Sequence, residues 1–592
     1  MANKQDINRQ QQDTRLFLPT CKADMLARGW KELDILLVCG DAYIDHPSFG
    51  LPLLGRVLEA AGYKVGMVSQ PRWDTKDDIT CMGRPRLFCG IGAGCLDSML
   101  AHYTAFRKKR HEDAYTPGGK AGARPNRACI VYTNLVRSAF PGLFTVIGGI
   151  EASLRRAAHY DFWTDSLRRS ILFDSKADLL IYGMGERPIV ELAKRLDQNQ
   201  PTKGIPGTAW IDDTAENAEL LPSYESILLD KKELMKATLA MEQHVHTGTA
   251  NLAQQHGNRY VVMAPPQPTM TTEEMDAIYA LPFTRKPHPS YKEHIPALDT
   301  VKWSMTAVRG CGGGCAFCSI ALHQGRHLTS RSAKSLQDET RRMTAMRDWK
   351  GSISDVGGPT ANLWGAYCKT DAKGCRRSSC LAPQVCPYLV LNQVEYLNML
   401  RSLKRIPGVR NVGIASGIRH DAALKEPQFI DILAAEFTAG HLKLAPEHIT
   451  PKVLRIIRKP DFELFEKFCR IFAEASRKHG KEQYIVPYIM SALPGCEIGD
   501  MKKVAQWFRS QGWRPQQCQC FIPTPGTVAT AMFYAGIDTS FNPIHIPKTD
   551  REREDQHKAI FWNNNDGHNN HNNNTQGRQH SHKYGNPRKD HH

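Results

Sequence analysis

The chain has 592 residues, of which 41% are hydrophobic, a formal net charge of +17 and seventeen cysteines. That length exceeds one ordinary domain and allows roughly three or four of ~150 residues; no apolar run reaches transmembrane length, and residues 1–8 lack the apolar core of a signal peptide, so a cytoplasmic protein is expected. Seventeen cysteines without a secretion signal exclude a small disulfide scaffold: in a reducing compartment clustered thiols read as metal ligands, and scattered ones such as Cys39, Cys129 and Cys469 as small core residues.

After an extension over 1–30, an apolar run at 34–40 ends in glycine and leads into a helical pattern through Leu53, Leu54, Val57 and Leu58. Further strand-like runs at 64–69, 129–133, 144–148 and 178–182, separated by helix-length segments, predict an open parallel α/β sheet of Rossmann-like type over 31–205. A ligand of such a sheet sits at the carboxyl ends of its strands. Glycine loops end several runs, at 90–94, 148–151 and 183–186, but none fits the dinucleotide fingerprint or the P-loop, and Gly118-Gly119-Lys120-Ala121 lacks the upstream glycine and the Ser/Thr of the latter. They read as plain strand-to-helix turns. The densest basic run, Arg107-Lys108-Lys109-Arg110, with Lys120, Arg124 and Arg127 nearby, leaves a nucleic-acid partner open against the blander reading of a solvated face.

Between 206 and 295 the pattern loosens into a partly helical connector. From 296 to 545 alternation resumes, with strands expected at 302–308, 352–356, 411–415, 442–445, 484–492 and 518–522 and helices between them. Six β/α repeats predict a complete or partial parallel barrel, which carries its chemistry at the carboxyl ends of its strands. Residues 546–592 turn charged and then Asn/His-rich, the composition of a disordered polar tail.

The loop directly after the first expected barrel strand reads Arg309-Gly-Cys311-Gly-Gly-Gly-Cys315-Ala-Phe317-Cys318. Three thiolates at C-x3-C-x2-C spacing can hold three irons of a 4Fe–4S cluster and leave the fourth open to a small molecule. A structural zinc site would need a fourth ligand, from His323 or from the thiols of 368–386. The glycines at 312–314 favour the cluster, because backbone without side chains can wrap closely around sulfide.

This trio, with Phe317 before its last cysteine, resembles the signature of the radical S-adenosylmethionine (SAM) superfamily. Gly40–Gly50, Ile147–Arg156, Ser354–Asn362, Leu442–His448 and Pro523–Thr527 extend the resemblance over about 15–560 to the YgiQ-type family within it. The resemblance implies a 4Fe–4S cluster on Cys311, Cys315 and Cys318, reductive cleavage of SAM to a 5′-deoxyadenosyl radical, and hydrogen abstraction from an unidentified substrate. Cluster reduction implies an electron donor of flavodoxin or ferredoxin type. By the same resemblance Gly357 and Gly358 stand where the superfamily's Gly-Gly-Glu motif contacts the SAM amino group, although Pro359 replaces the acid. Phe317, Ser416 and Arg419 are further candidates for the SAM site.

Glu447 and His448, beyond a barrel strand, are candidate proton carriers or substrate anchors, with helix capping as the alternative. Cys368, Cys375, Cys380 and Cys386 form a possible second metal site, for zinc or an auxiliary cluster, or a loop of free thiols. The N-terminal sheet also resembles the cobalamin-binding domain that precedes many radical SAM barrels. The Asp-x-His-x-x-Gly motif is absent, and Asp45-His46-Pro47-Ser48-Phe49-Gly50 has the wrong order, which leaves cobalamin uncertain. Two alternatives accompany the radical enzyme: a cobalamin-assisted methyltransferase and a non-catalytic metal-binding RNA-associated protein.

Overall fold

The computed structural model describes residues 14–561, apart from positions 373 and 516. The run Ile35–Cys39 forms a strand buried along its whole length. Leu36 and Val38 enter the core on one face and Ile35 and Leu37 on the other, as expected of a central strand in a sheet covered on both sides. It pairs in parallel with Val65–Ser69 and Phe88–Gly92, and the parallel set continues through Phe144–Gly148 to Leu179–Ile181. Numbered along the chain these five strands lie in the order 2-1-3-4-5. That order puts a topological switch point between Ile35–Cys39 and Phe88–Gly92, and a crevice opens beyond their carboxyl ends.

The sheet does not stop near 205. Thr208–Asp212 pairs antiparallel with Leu179–Ile181, Arg259–Met263 joins it antiparallel, and Asn251–His256 and Ala218–Leu221 bring the sheet to nine strands. Residues 206–295 therefore extend the N-terminal sheet. Their strands are short and carry buried polar residues such as Gln254, whose side chain bonds Ala158 N and Pro222 O, so apolar periodicity is faint. The run expected at 129–133 is instead the helix Ala128–Ala139.

All six barrel strands appear. Ser304–Thr306 pairs in parallel with Asp355–Gly357, and Ser352–Ile353 with Asn411–Val412; His441–Glu447, Tyr484–Ser491 and Gln517–Cys520 form a second parallel arc. The helix Phe462–Lys478 shows why the chain folds over these strands: Phe465, Phe468, Phe472 and Ala475 recur at helical spacing on its buried face. Residues 546–561 depart from the tail expectation. Thr549 caps a helix over Asp550–Lys558 whose Arg553 and Gln556 are fully buried; the Asn/His-rich remainder lies outside the described residues.

Candidate radical site

A short antiparallel hairpin, Val308–Arg309 with Thr329–Ser330, follows the first barrel strand and carries the three-cysteine loop between its arms. Backbone bonds from all sides fix the loop. Cys311 N donates to Gly325 O at 3.1 Å, Cys318 N to Cys315 O at 3.1 Å, Ala316 N to Ile457 O at 3.0 Å, and Ala529 N to Ala316 O at 2.8 Å. Gly314 has φ +57°, and a Cβ there would lie 2.0 Å from Ser378 O, so the loop can close against the 378–380 backbone only with glycine at this position.

The three thiols face one another closely enough that each of Cys311 and Cys318 is pushed up by the charge of Cys315. Burial is the larger cause, and it lifts Cys318 to about 12. Such thiols ionise readily only with a cation beside them. A Cβ at Gly313 would stand 3.4 Å from Cys311 Sγ, 3.8 Å from Cys315 Sγ and 3.6 Å from Arg419 Nη1. The space over Gly313 is thus a cradle shared by two thiols and a guanidinium, which fits an anionic iron–sulfur group. Thr360 Oγ1, 3.9 Å from Cys311 Sγ, adds a hydroxyl to its rim. Among the described residues no three His, Cys, Asp or Glu side chains converge on a single metal ion; thiols that hold different irons of one cluster stand farther apart than the ligands of one ion.

Arg419 is no surface residue. It is 8% exposed and makes a bidentate pair with Asp421, Nε to Oδ1 at 2.8 Å and Nη2 to Oδ2 at 2.6 Å. Gly357 and Gly358 end the second barrel strand where backbones crowd: a Cβ at Gly357 would lie 1.7 Å from Ser416 Oγ and one at Gly358 2.1 Å from Val308 O. Ser416 is tied to Asp355 Oδ1 through its hydroxyl and its N–H, both at 3.0 Å, and Ala415 N donates to the same oxygen at 2.8 Å. Phe317 is partly buried and packs against a hydrophobic cluster that includes Ala316, Val453 and Val528.

Glu447 and His448 part company. Glu447, with φ +69°, is partly buried with its carboxylate 3.7 Å from Lys459 Nζ, and desolvation raises its carboxyl against the pull of Lys459 and Arg419. Lys459 in turn acts on Cys318, so this carboxylate belongs to the charged shell around the loop. His448 does not: its ring is fully buried, Nδ1 accepts from Thr450 N at 3.0 Å, and Nε2 lies 3.6 Å from Cys496 Sγ. Its ring is engaged in the turn that enters the helix Pro451–Ile456. Asp355 and Thr360 lie inside the matching segment Ser354–Asn362, and Asp421 stands two residues after Arg419, but none was singled out; Lys459 was missed because it lies far along the chain from the cysteines and matches no motif.

Beyond the switch point lies a cavity of about 530 Å³. Its walls are the loops read as plain turns, including Gly92, Gly149 and Gly185, together with Arg309, His323 and Pro359 from the barrel. The N-terminal sheet thus presents its carboxyl ends to the cluster loop. Asp41 sits at this crevice, paired with Arg124 at 3.0 Å, and burial pushes its carboxyl up to about 6. His46 is turned away, its Nδ1 accepting from Ser48 N at 3.1 Å and its Nε2 meeting Arg285 Nη1 at 2.8 Å. Much of the basic segment is also structural: Arg124 pairs with Asp41 and Asp113, Arg127 with Asp161, and Arg107 stacks on Phe162. No helix among the described residues is long and apolar enough to cross a membrane.

The Radical SAM N-terminal family matches residues 17–304 and the Radical SAM superfamily matches residues 305–508. A UPF0313 protein of Geobacter sulfurreducens is 47% identical over 558 residues, 92% of either chain. One from Thermotoga maritima is 45% identical over 560 residues, 92% of this chain and 99% of its own. Among solved structures, the radical SAM methyltransferase TsrM of Kitasatospora setae, with cobalamin and a 4Fe–4S cluster bound, aligns with 90% of this chain and 86% of its own at 14% identity and a TM-score of 0.50, a likeness of fold.

Proposed function

The chain belongs to the UPF0313 (YgiQ-type) family of radical SAM enzymes, and from that membership we propose that Cys311, Cys315 and Cys318 are its cluster ligands and that Gly357, Gly358, Ser416 and Arg419 border its SAM site. The observation that carries this is the cradle over Gly313, where two of the thiols meet the Arg419 guanidinium at the carboxyl end of the barrel. When bound, cluster and SAM supply the one-electron sulfonium cleavage that yields a 5′-deoxyadenosyl radical for hydrogen abstraction. The chain's own residues do the rest. Three thiolates leave one iron without a protein ligand. The bare backbone at 357–358 lets a ligand approach the strand end, and Arg419, locked by Asp421, holds positive charge against the anionic group without swinging. Glu447 and Lys459 add a carboxylate and a buried ammonium beside the loop.

The superfamily needs a reductant, and we assign that role to a flavodoxin or ferredoxin, with the enzyme in a reducing cytoplasm, in keeping with seventeen cysteines of which none is paired in a disulfide. Anaerobic reconstitution followed by reduction with SAM should give 5′-deoxyadenosine. The product's absence in wild type, or its persistence in Cys311/Cys315/Cys318→Ala, would overturn the assignment.

A second reading, the cobalamin-assisted methyltransferase, draws on the strand order 2-1-3-4-5 and the cavity at its switch point. His46 is committed to Ser48 and Arg285, so a corrin would bind without that histidine on cobalt. Gel filtration after loading with hydroxocobalamin decides it: retained corrin absorbance supports this reading, and a colourless protein fraction ends it.

A further inference from the structure

The second thiol group is sorted by the fold. Cys368 ends the first strand of a small hairpin, Tyr367–Cys368 with Leu389–Val390, and its Sγ meets Thr370 Oγ1 at 3.3 Å. Cys375, Cys380 and Cys386 lie on the loop between its arms. Cys386 N donates to Cys380 O at 2.8 Å, and the Cys380 thiol feels the charges of both Cys386 and Cys375. Their loop is docked on the first one, where Cys380 N donates to Gly312 O at 2.8 Å and Ser379 Oγ to Gly313 O at 2.5 Å, and on the helix Lys232–Thr247, where Gln243 Nε2 donates to Cys375 O at 2.9 Å.

An independent observation comes from Arg326, which is 5% exposed. Its Nη1 donates to Arg377 O, its Nη2 points at Cys380 Sγ at 3.6 Å, and its buried Nε has no partner. A buried guanidinium with no carboxylate partner among the described residues calls for an anionic group beside it. A single-ion zinc site would need its donors to converge, and these do not among the described residues. Three separated thiols on a loop with little regular structure match the demand of a multi-iron group instead.

We propose that Cys375, Cys380 and Cys386 hold a second iron–sulfur cluster of the four-iron class, with Arg326 balancing its charge and Cys368 outside the ligand set. Three thiolates again leave one iron without a protein ligand. The same loop contributes Asp371, Ala372 and Gly374 to a cavity of about 810 Å³ that also reaches Gly310 and His323, on either side of the first three thiols.

The test is iron and acid-labile sulfide per chain after anaerobic reconstitution of the full-length protein, with Mössbauer spectra. Wild type should hold about eight iron and Cys375/Cys380/Cys386→Ser about four. Cys368→Ser should match wild type. Cys311/Cys315/Cys318→Ala should retain about four iron that do not respond spectroscopically to SAM, which separates this site from the first even where the other triple variant fails to fold. About four iron in wild type, zinc in place of the second four, a Cys380–Cys386 disulfide in the reduced and loaded protein, or loss of iron on Cys368→Ser would each overturn the proposal.

Discussion

Arg309 Nη1 donates to Glu186 Oε1 at 2.5 Å, a buried pair that joins the residue two before Cys311 to the loop ending the fifth parallel strand of the N-terminal sheet. Arg309 Nε also reaches Tyr279 OH at 3.1 Å. The radical loop is thereby indexed to the glycine-lined cavity by one ion pair. Glu186→Ala leaves the guanidinium buried and unpaired, and a loss of roughly 3–5 kcal/mol is expected. Glu186→Gln, which keeps an acceptor, should lose less. Calorimetric melting of the three proteins checks the ranking; equal melting temperatures would remove the pair from the account.

At the strand end the two glycines should respond differently. A Cβ at Gly358 meets Val308 O, a backbone atom in the hairpin that carries the cysteines, whereas at Gly357 it meets first the Ser416 hydroxyl, which can rotate. Gly358→Ala is expected to destabilise by roughly 1–3 kcal/mol and to abolish the SAM-induced change in the cluster's spectrum at unchanged iron content. Gly357→Ala should weaken that change and leave a measurable remainder. The reverse order would mean that the crowding at Val308 does not govern the SAM site.

The contrast between legible and hidden parts follows the range of the interactions. The cysteine loop and the six barrel strands were visible because each is local: thiol spacing sets ligand geometry, and apolar alternation such as Leu442-Lys443-Leu444 sets strands. The last four strands of the N-terminal sheet were not, since polar residues like Gln254 are satisfied only by partners 32 and 96 positions away. For the same reason Glu447 and His448, adjacent in sequence, could not be told apart until the turn at φ +69° sent one toward Lys459 and the other toward Cys496. The switch-point cavity was hidden too, because several plain glycine turns become a site only when the strand order places them side by side.

Composition alone assigned everything after 545 to a tail, and Arg553 marks where that fails. Its Nη2 donates to Phe521 O at 2.6 Å and Ala105 O at 3.0 Å, and its guanidinium lies 4.6 Å from the centre of the Phe162 ring. One side chain thus ties the C-terminal helix to the barrel and to the N-terminal half. Arg553→Ala strips donors from two buried carbonyls, and a loss of about 2–3 kcal/mol is expected. Urea unfolding followed by tryptophan fluorescence measures it, and an unchanged midpoint would show the helix to be dispensable.

His448 gives the fold an acid limit. Burial, with a smaller push from Lys452 and against the pull of Asp500, holds its ring down to about 4, while an unfolded chain titrates near the ordinary ~6.5. Above that range both states are neutral and this ring contributes no pH dependence. Between about 6.5 and 4 the unfolded chain takes up a proton that the folded one refuses, so stability falls as pH falls; below about 4 both are charged and the loss is complete. The difference corresponds to about 3 kcal/mol. His448→Asn keeps an acceptor for Thr450 N and removes the titration. Denaturation midpoints of the two proteins should therefore converge as pH drops from 7 to 4, with wild type losing about 3 kcal/mol more than the variant. Parallel curves would mean that the His448 ring takes up its proton equally in the folded and unfolded states.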